Sequence, residues 1–218
     1  MSLVQVVITD NFLLFGADKR GIMDGTKEHY ENCNKLIKLN KEIIFGCTGG
    51  ILDNFKLFEG FCGYSEQVGL IPSDDSFDLS YNEFVKIISV RFENMYKEHI
   101  DTKNAIRYDI KSLVGGFNGE EFEVTLFNLD DKCSFEDNIV KAYKPANFPY
   151  KGVTAGETIH SDNLHIGVYN TYREYGENIT ILQYKNIMRD VFEKGMKIDE
   201  TINNNICFER IKRKDVIN

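Results

Sequence analysis

Residues 3–9, Leu-Val-Gln-Val-Val-Ile-Thr, are mostly apolar and β-branched; Asp10-Asn11 interrupts them, and Phe12-Leu-Leu-Phe-Gly-Ala restores the pattern. Two such runs across a two-residue turn predict a β-hairpin. Neither run alternates cleanly with polar residues, so both strands are expected to be covered on both faces. A second pair, residues 35–39 and 42–48, flanks Asn40-Lys41. After Gly49-Gly50 the period changes. Ile51, Phe55, Phe58 and Cys62 fall at i, i+4, i+7 and i+11, which predicts one face of a helix. Residues 63–79 read as a polar loop containing Pro72. Ser80-x-x-Glu83 is a capping box opening a second helix to about residue 100, with Phe84, Ile87, Ile88 and Met95 on one face. Strand character returns over 107–117, 121–129 and 133–143, punctuated by Asn118-Gly119 and Asp130-Asp131. Helical patterns follow over 157–172 and 180–196, the latter with Ile187, Met188, Val191 and Phe192 on one side, and 206–211 reads as a last strand.

The predicted order is four strands, two helices, three strands, two helices and one strand. Helices arriving in pairs and strands in antiparallel runs exclude a doubly wound sheet, in which the two would alternate. The expected architecture is α+β: a four-layer αββα sandwich, two antiparallel sheets flanked by helix pairs. No Pro-, Gly- or Ser-rich linker divides residues 1–218, so a single domain is expected.

Composition narrows the partners. The chain is 42% apolar and 28% charged, with 27 Phe and Tyr residues, an ordinary globular balance. Its net charge of −8 argues against broad nucleic-acid binding. The basic run Lys212-Arg213-Lys214 reads as a solvated strand end. No apolar window is long enough to span a bilayer and no signal peptide is visible, so a cytoplasmic location and no membrane contact are expected. Cys33, Cys47, Cys62, Cys133 and Cys207 are odd in number, far apart and without a C-x-x-C pair; they read as reduced thiols.

Several catalytic motifs are missing from the sequence. Gly46-x-x-Gly49-Gly50 lacks the Gly-Lys-Ser/Thr of a phosphate loop, and there is neither a Gly-x-Ser-x-Gly elbow nor a His-Glu-x-x-His. His160 and His165 are five apart and do not share a helix face, and with His29 and His99 they suggest no metal site. No metal or organic cofactor is expected. What stands out is Ser2. A small second residue permits removal of Met1, and a terminal serine can act as a nucleophile with its own α-amine as base. That amine has a pKa near ~7.7–8.0, so part of it can take a proton at neutral pH without any histidine.

The spacings downstream strengthen the signal. Asp18 lies sixteen positions after Ser2 in Gly16-Ala17-Asp18-Lys19-Arg20, Lys35 precedes the apolar pair Leu36-Ile37, and a strand ends in Phe45-Gly46-Cys47-Thr48-Gly49-Gly50 before a helix. Leu113-Val114-Gly115-Gly116-Phe117-Asn118-Gly119 is a glycine-rich hairpin. With these segments the chain resembles the β-type subunits of proteasomes and their simpler bacterial relatives, within the N-terminal nucleophile (Ntn) hydrolase family. The resemblance is strong for residues 2–62 and 107–131 and loose after 150.

The resemblance implies a peptidase. Ser2 Oγ would attack a peptide carbonyl while the α-amine relays the proton. Lys35 would supply a fixed positive charge, Asp18 would hold Lys35, the Gly46 N–H would face the oxyanion, and Asp199 would support the amine. It also implies a peptide or protein substrate and a homo-oligomer, in ring form in many members. Without the resemblance, Asp18 reads equally as a turn residue, Lys35 as a strand-edge charge, the glycines as a tight strand-to-helix turn and Asp199 as a loop cap. The chain departs from the family pattern in having Ser where Thr is usual, and Gly156 and Ile202 where serines are usual. Met-Ser-Leu also matches an expression leader. A natural start at Met-Val would leave a catalytically silent scaffold or partner-binding protein, and a small-molecule amidase on the same fold is the third reading.

Overall fold

A computed structural model describes residues 3–22, 28–65, 68–72, 78–102, 110–129, 139–144, 151–155 and 158–217. The first hairpin forms as expected. β1 (Val4–Ile8) and β2 (Phe12–Asp18) are buried along their whole length and pair antiparallel, Val4 opposite Ala17 and Ile8 opposite Leu13. Thr9 closes the turn, its hydroxyl donating to the Phe12 carbonyl at 2.9 Å and accepting the Phe12 N–H at 3.0 Å. After two short strands, β3 (Gly21–Ile22) and β4 (His29–Tyr30), come β5 (Leu36–Lys38) and β6 (Ile43–Gly49), the second expected pair.

Helix α1 (Ile51–Phe58) is shorter than its apolar spacing predicts. Cys62 belongs instead to β7 (Cys62–Ser65), which forms a hairpin with β8 (Gly69–Pro72) inside the stretch expected to be a loop. Helix α2 (Tyr81–Thr102) begins at the expected capping box: Glu83 Oε2 accepts from the Ser80 N–H at 2.9 Å and the Ser80 hydroxyl at 2.6 Å. β9 (Ile110–Phe117), β10 (Phe122–Leu129) and β11 (Ile139–Tyr143) match the three expected strands within the described residues; 107–109 and 133–138 lie outside them. β12 (Lys151–Ala155) was not expected. α3 (Thr158–Tyr175) and α4 (Ile181–Gly195) follow, then β13 (Ile206–Lys212). The basic run is not a simple strand end, because α5 (Arg213–Ile217) turns it into a short terminal helix.

The result is an α+β fold with antiparallel sheets. One sheet has the order β12-β1-β2-β13 and the other β11-β10-β9-β6-β5. Strand alternation divides their side chains among three cores. Val4, Val6, Leu13 and Phe15 meet Leu36, Ile44, Leu113 and Phe122 between the two sheets. Ile43, Phe45, Val114 and Phe127 turn the other way, onto Phe58 of α1 and Phe84, Ile88 and Phe92 of α2. Leu3, Val7, Phe12 and Leu14 pack on Leu164 and Val168 of α3 and Ile187, Met188 and Phe192 of α4. No helix among the described residues is long and apolar enough to cross a membrane.

Candidate active site

The last residue of β2, Asp18, has no solvent exposure, and its carboxylate joins three segments. Oδ1 accepts the Leu3 N–H at 2.9 Å, at the start of the described chain. Oδ2 accepts the Lys35 ammonium at 2.8 Å and the Arg20 N–H at 3.0 Å. Lys35, 3% exposed, enters from the residue before β5, so the ion pair links the two sheets. A buried charge is tolerated only when paired and hydrogen-bonded, and the three donors around Asp18 meet that requirement. Asp18 and Lys35 are thus brought together as expected. Ser2 lies outside the described residues, as does Gly156.

The Lys35 carbonyl accepts the Cys47 N–H at 2.9 Å, which fixes the direction of every amide along β6. Successive amides in a strand point to opposite sides. The Gly46 N–H therefore points to β9, where Leu113 stands opposite. Gly46 also lies under Val4: an added Cβ would come within 2.7 Å of Val4 Cγ1. Its glycine character serves close packing of the two sheets, and the oxyanion role expected of Gly46 does not fit an amide turned into the sheet. The Gly49 N–H points to the β5 side, like that of Cys47. Continuing the Leu36–Gly46 register puts Cys33 opposite Gly49, but the Cys33 N–H leaves the sheet and donates to the Lys19 carbonyl at 2.8 Å. Gly49 is exposed and has φ of 86°, a left-handed conformation that favours glycine.

Buried Asn54 of α1 fixes this turn from below. Its amide donates to the Thr48 carbonyl at 3.0 Å and the Gly50 carbonyl at 2.9 Å, and its Oδ1 accepts the Ser112 hydroxyl of β9. Sequence reasoning missed Asn54 and Gly49. The available signal was a polar residue on the apolar stripe of a helix, since Asn54 falls at i+3 from Ile51 beside Phe55 and Phe58.

Asp199 lies in the turn after α4, its N–H donating to the Gly195 carbonyl at 2.9 Å. Burial pushes its carboxyl up, but the Thr201 hydroxyl at 2.5 Å and N–H at 2.8 Å donate to Oδ1, and the net position is below the usual aspartate value. The Arg20 guanidinium donates to the adjacent Glu200 carbonyl at 2.6 Å, linking this turn to the Asp18 turn. Ile202 is 2% exposed and shares a core with Leu3, so that position is apolar and closed. Burial pushes the Cys47 and Cys62 thiols up to about 12 and raises Cys33 as well, so these are protonated, poorly nucleophilic thiols. Cys133 lies outside the described residues. Among the described residues, no group of three or more His, Cys, Asp or Glu is arranged to hold a metal ion.

No family model matches the chain, and no curated protein matches it. Among solved structures the chain is similar to the crystal structure of eukaryotic HslV from Trypanosoma brucei. The TM-score is 0.58 at 14% sequence identity, covering 97% of this chain and 99% of that one. At this identity the likeness supports a proteasome-like fold and nothing finer.

Proposed function

We propose that this chain is an N-terminal nucleophile amide hydrolase, a proteasome-like peptidase whose nucleophile is Ser2 exposed by removal of Met1. The observation that carries the reading is the Asp18 carboxylate, which bonds at once to the Leu3 N–H and to the buried Lys35 ammonium. The first amide of the described chain is thereby held beside a fixed positive charge, as this chemistry requires. The three cores support the four-layer αββα arrangement in one unit, and the likeness to HslV supports it at the level of fold.

In this mechanism the Ser2 Oγ–H passes its proton to the α-amine as the oxygen attacks the carbonyl carbon of the scissile peptide. Lys35, ion-paired with Asp18, stabilises the negative charge that builds on Oγ. The carbonyl oxygen becomes an oxyanion facing the Gly49 N–H, a donor of a kind typically worth about 2.7–4 kcal/mol in the transition state. As the C–N bond breaks, the ammonium returns its proton to the departing amine and an ester remains on Ser2. Water, deprotonated by the same amine, attacks that ester, and Ser2 regains its proton. Asp199, whose turn Arg20 ties to the Asp18 segment through the Glu200 carbonyl, is the carboxylate assigned in this reading to support the amine. The substrate is a peptide or protein and the working form a homo-oligomer, in keeping with the fold.

Ile202 favours a second reading. A closed apolar group at that position offers the amine no proton relay, which suits a catalytically silent scaffold of the same fold. Intact-mass measurement of protein expressed from its natural start separates the two. A chain beginning at Ser2 should hydrolyse a fluorogenic peptide and be labelled by an electrophile that traps terminal nucleophiles, and Ser2→Ala should abolish both. Retained Met1 or full activity in Ser2→Ala removes the peptidase mechanism.

A further inference from the structure

The proposed charges sit on three separate stretches of chain: Asp18 at the end of β2, Lys35 at the entry to β5, and Asp199 in the turn after α4. The direct bond between Asp18 and Lys35 fixes one separation. The third stretch leads into β13, which pairs with β2 up to Ile206 opposite Asp18, and beyond that pairing all three are tied by a ring of hydrogen bonds centred on a carboxylate that the mechanism does not use.

That carboxylate is Glu31. Its Oε1 accepts from Arg20 Nε at 2.9 Å and lies 2.9 Å from Nη2, while Oε2 accepts the Asn203 amide at 2.5 Å. Asn203 in turn accepts the Lys19 N–H on its Oδ1 at 3.1 Å, and the same N–H donates to the Asn205 carbonyl at 2.9 Å. The Asn205 amide returns to the Glu31 carbonyl at 3.0 Å and to Asn32 Oδ1 at 3.0 Å. Arg20 completes the circuit through the Glu200 carbonyl. Arg20 is two residues beyond Asp18, Glu31 four residues before Lys35, and Glu200 adjacent to Asp199. The three stretches that carry Asp18, Lys35 and Asp199 are therefore held within a few bonds of this carboxylate.

A structural ion pair explains these contacts poorly. The Glu31 side chain is 52% exposed and that of Arg20 26% exposed, and pairs so open to solvent contribute little to stability. Asn203, by contrast, is 3% exposed, and its amide is oriented by Glu31 on one side and by Lys19 on the other. The Asn203 bond, joined by the contacts from Arg20, holds the Glu31 carboxyl below its ordinary value against the desolvation that opposes it, so it is ionised at neutral pH.

We propose that Glu31 is a positioning residue: its carboxylate holds the Asp18 turn, the approach to Lys35 and the Asp199 turn at the separations the site needs. The proposal rests on the peptidase reading for what those separations serve, but the ring of bonds can be tested without it. The full-length protein is compared with Glu31→Ala and Glu31→Gln by amide hydrogen exchange and by peptide hydrolysis. In Glu31→Ala, the amides of Lys19, Cys33 and residues 199–205 should exchange about tenfold faster while those of β9 and β10 stay as protected as before. The same variant should lose about tenfold in kcat with KM within about twofold, the signature of misplacement rather than lost binding. Glu31→Gln, which keeps an acceptor for Arg20 but turns a donor toward Asn203, should fall between. Unchanged exchange around residues 199–205 overturns the proposal. So does acceleration spread equally to β9 and β10, or a change confined to KM. If the wild-type protein proves inert to peptides, the peptidase reading falls and exchange alone decides the positioning role.

Discussion

The Asp199 carboxylate shows how a single side chain reaches an unusual state. Burial alone would favour its neutral form, yet donors from Thr201 bring it below the ordinary value. A folded-state value below the unfolded one means that the charged form stabilises the fold. That stabilisation is present above about pH 3.9, the unfolded aspartate value, and is lost as pH falls through the folded value. Thr201→Val removes the hydroxyl donor at 2.5 Å and leaves the backbone donor in place. The Asp199 carboxyl should then titrate higher, and the acid limb of the stability curve should move to higher pH. Following the Asp199 side-chain carbon by NMR across a pH titration checks this. An unmoved titration midpoint would mean that the hydroxyl does not set the carboxylate's state.

At the scale of elements, β6 and α1 decide which backbone amide is available. Gly46 and Gly49 occupy the same short motif, and spacing does not distinguish them. The distinction depends on where β5 begins, which involves the turn of the chain at Cys33 toward Lys19. Gly46→Ala should destabilise the protein by about 1–3 kcal/mol, the usual cost of overpacking, because its Cβ would meet Val4 at 2.7 Å. Val4→Ala in the same chain should recover much of that loss, a coupling readable in a double-mutant cycle by urea unfolding. Additive losses would show that the two residues do not oppose each other. Asn54→Ala should cost about 1–3 kcal/mol, because it removes the side-chain partner of the Thr48 carbonyl and the Ser112 hydroxyl, while the Gly50 carbonyl keeps the backbone N–H of residue 54. Urea unfolding of this variant with an unchanged midpoint would leave Asn54 without a supporting role. The strong local signals were legible: fully apolar β1 and β2, and the reciprocal Ser80–Glu83 cap. The weak ones were not. Cys62 happened to extend a helical spacing across the chain reversal at Gly60, and the β7–β8 hairpin is short and partly exposed.

On the scale of the whole molecule, the described residues between the two sheets form an apolar core, and Lys35 and Asp18 are ion-paired where the sheets are linked. The pairing of these residues was legible only through the family resemblance. Neither residue's burial follows from local pattern, since a lysine before a strand and an aspartate after one usually face solvent. An ion pair in such a place is expensive to break from one side, because the survivor stays buried and uncompensated. Lys35→Met should therefore lower the unfolding free energy by about 3–5 kcal/mol, whereas Asp18→Asn with Lys35→Met should recover a substantial part of it by removing both charges. Both variants should lose peptide hydrolysis completely. Stability and activity then separate: the double variant folds well and is inert, as expected of a charge kept for chemistry and not for holding the sheets together. Urea unfolding monitored by circular dichroism reads the first quantity and fluorogenic-peptide turnover the second. A single variant within about 1 kcal/mol of wild type would mean that water reaches Asp18. The double variant retaining turnover would mean that the buried ammonium takes no part in the reaction.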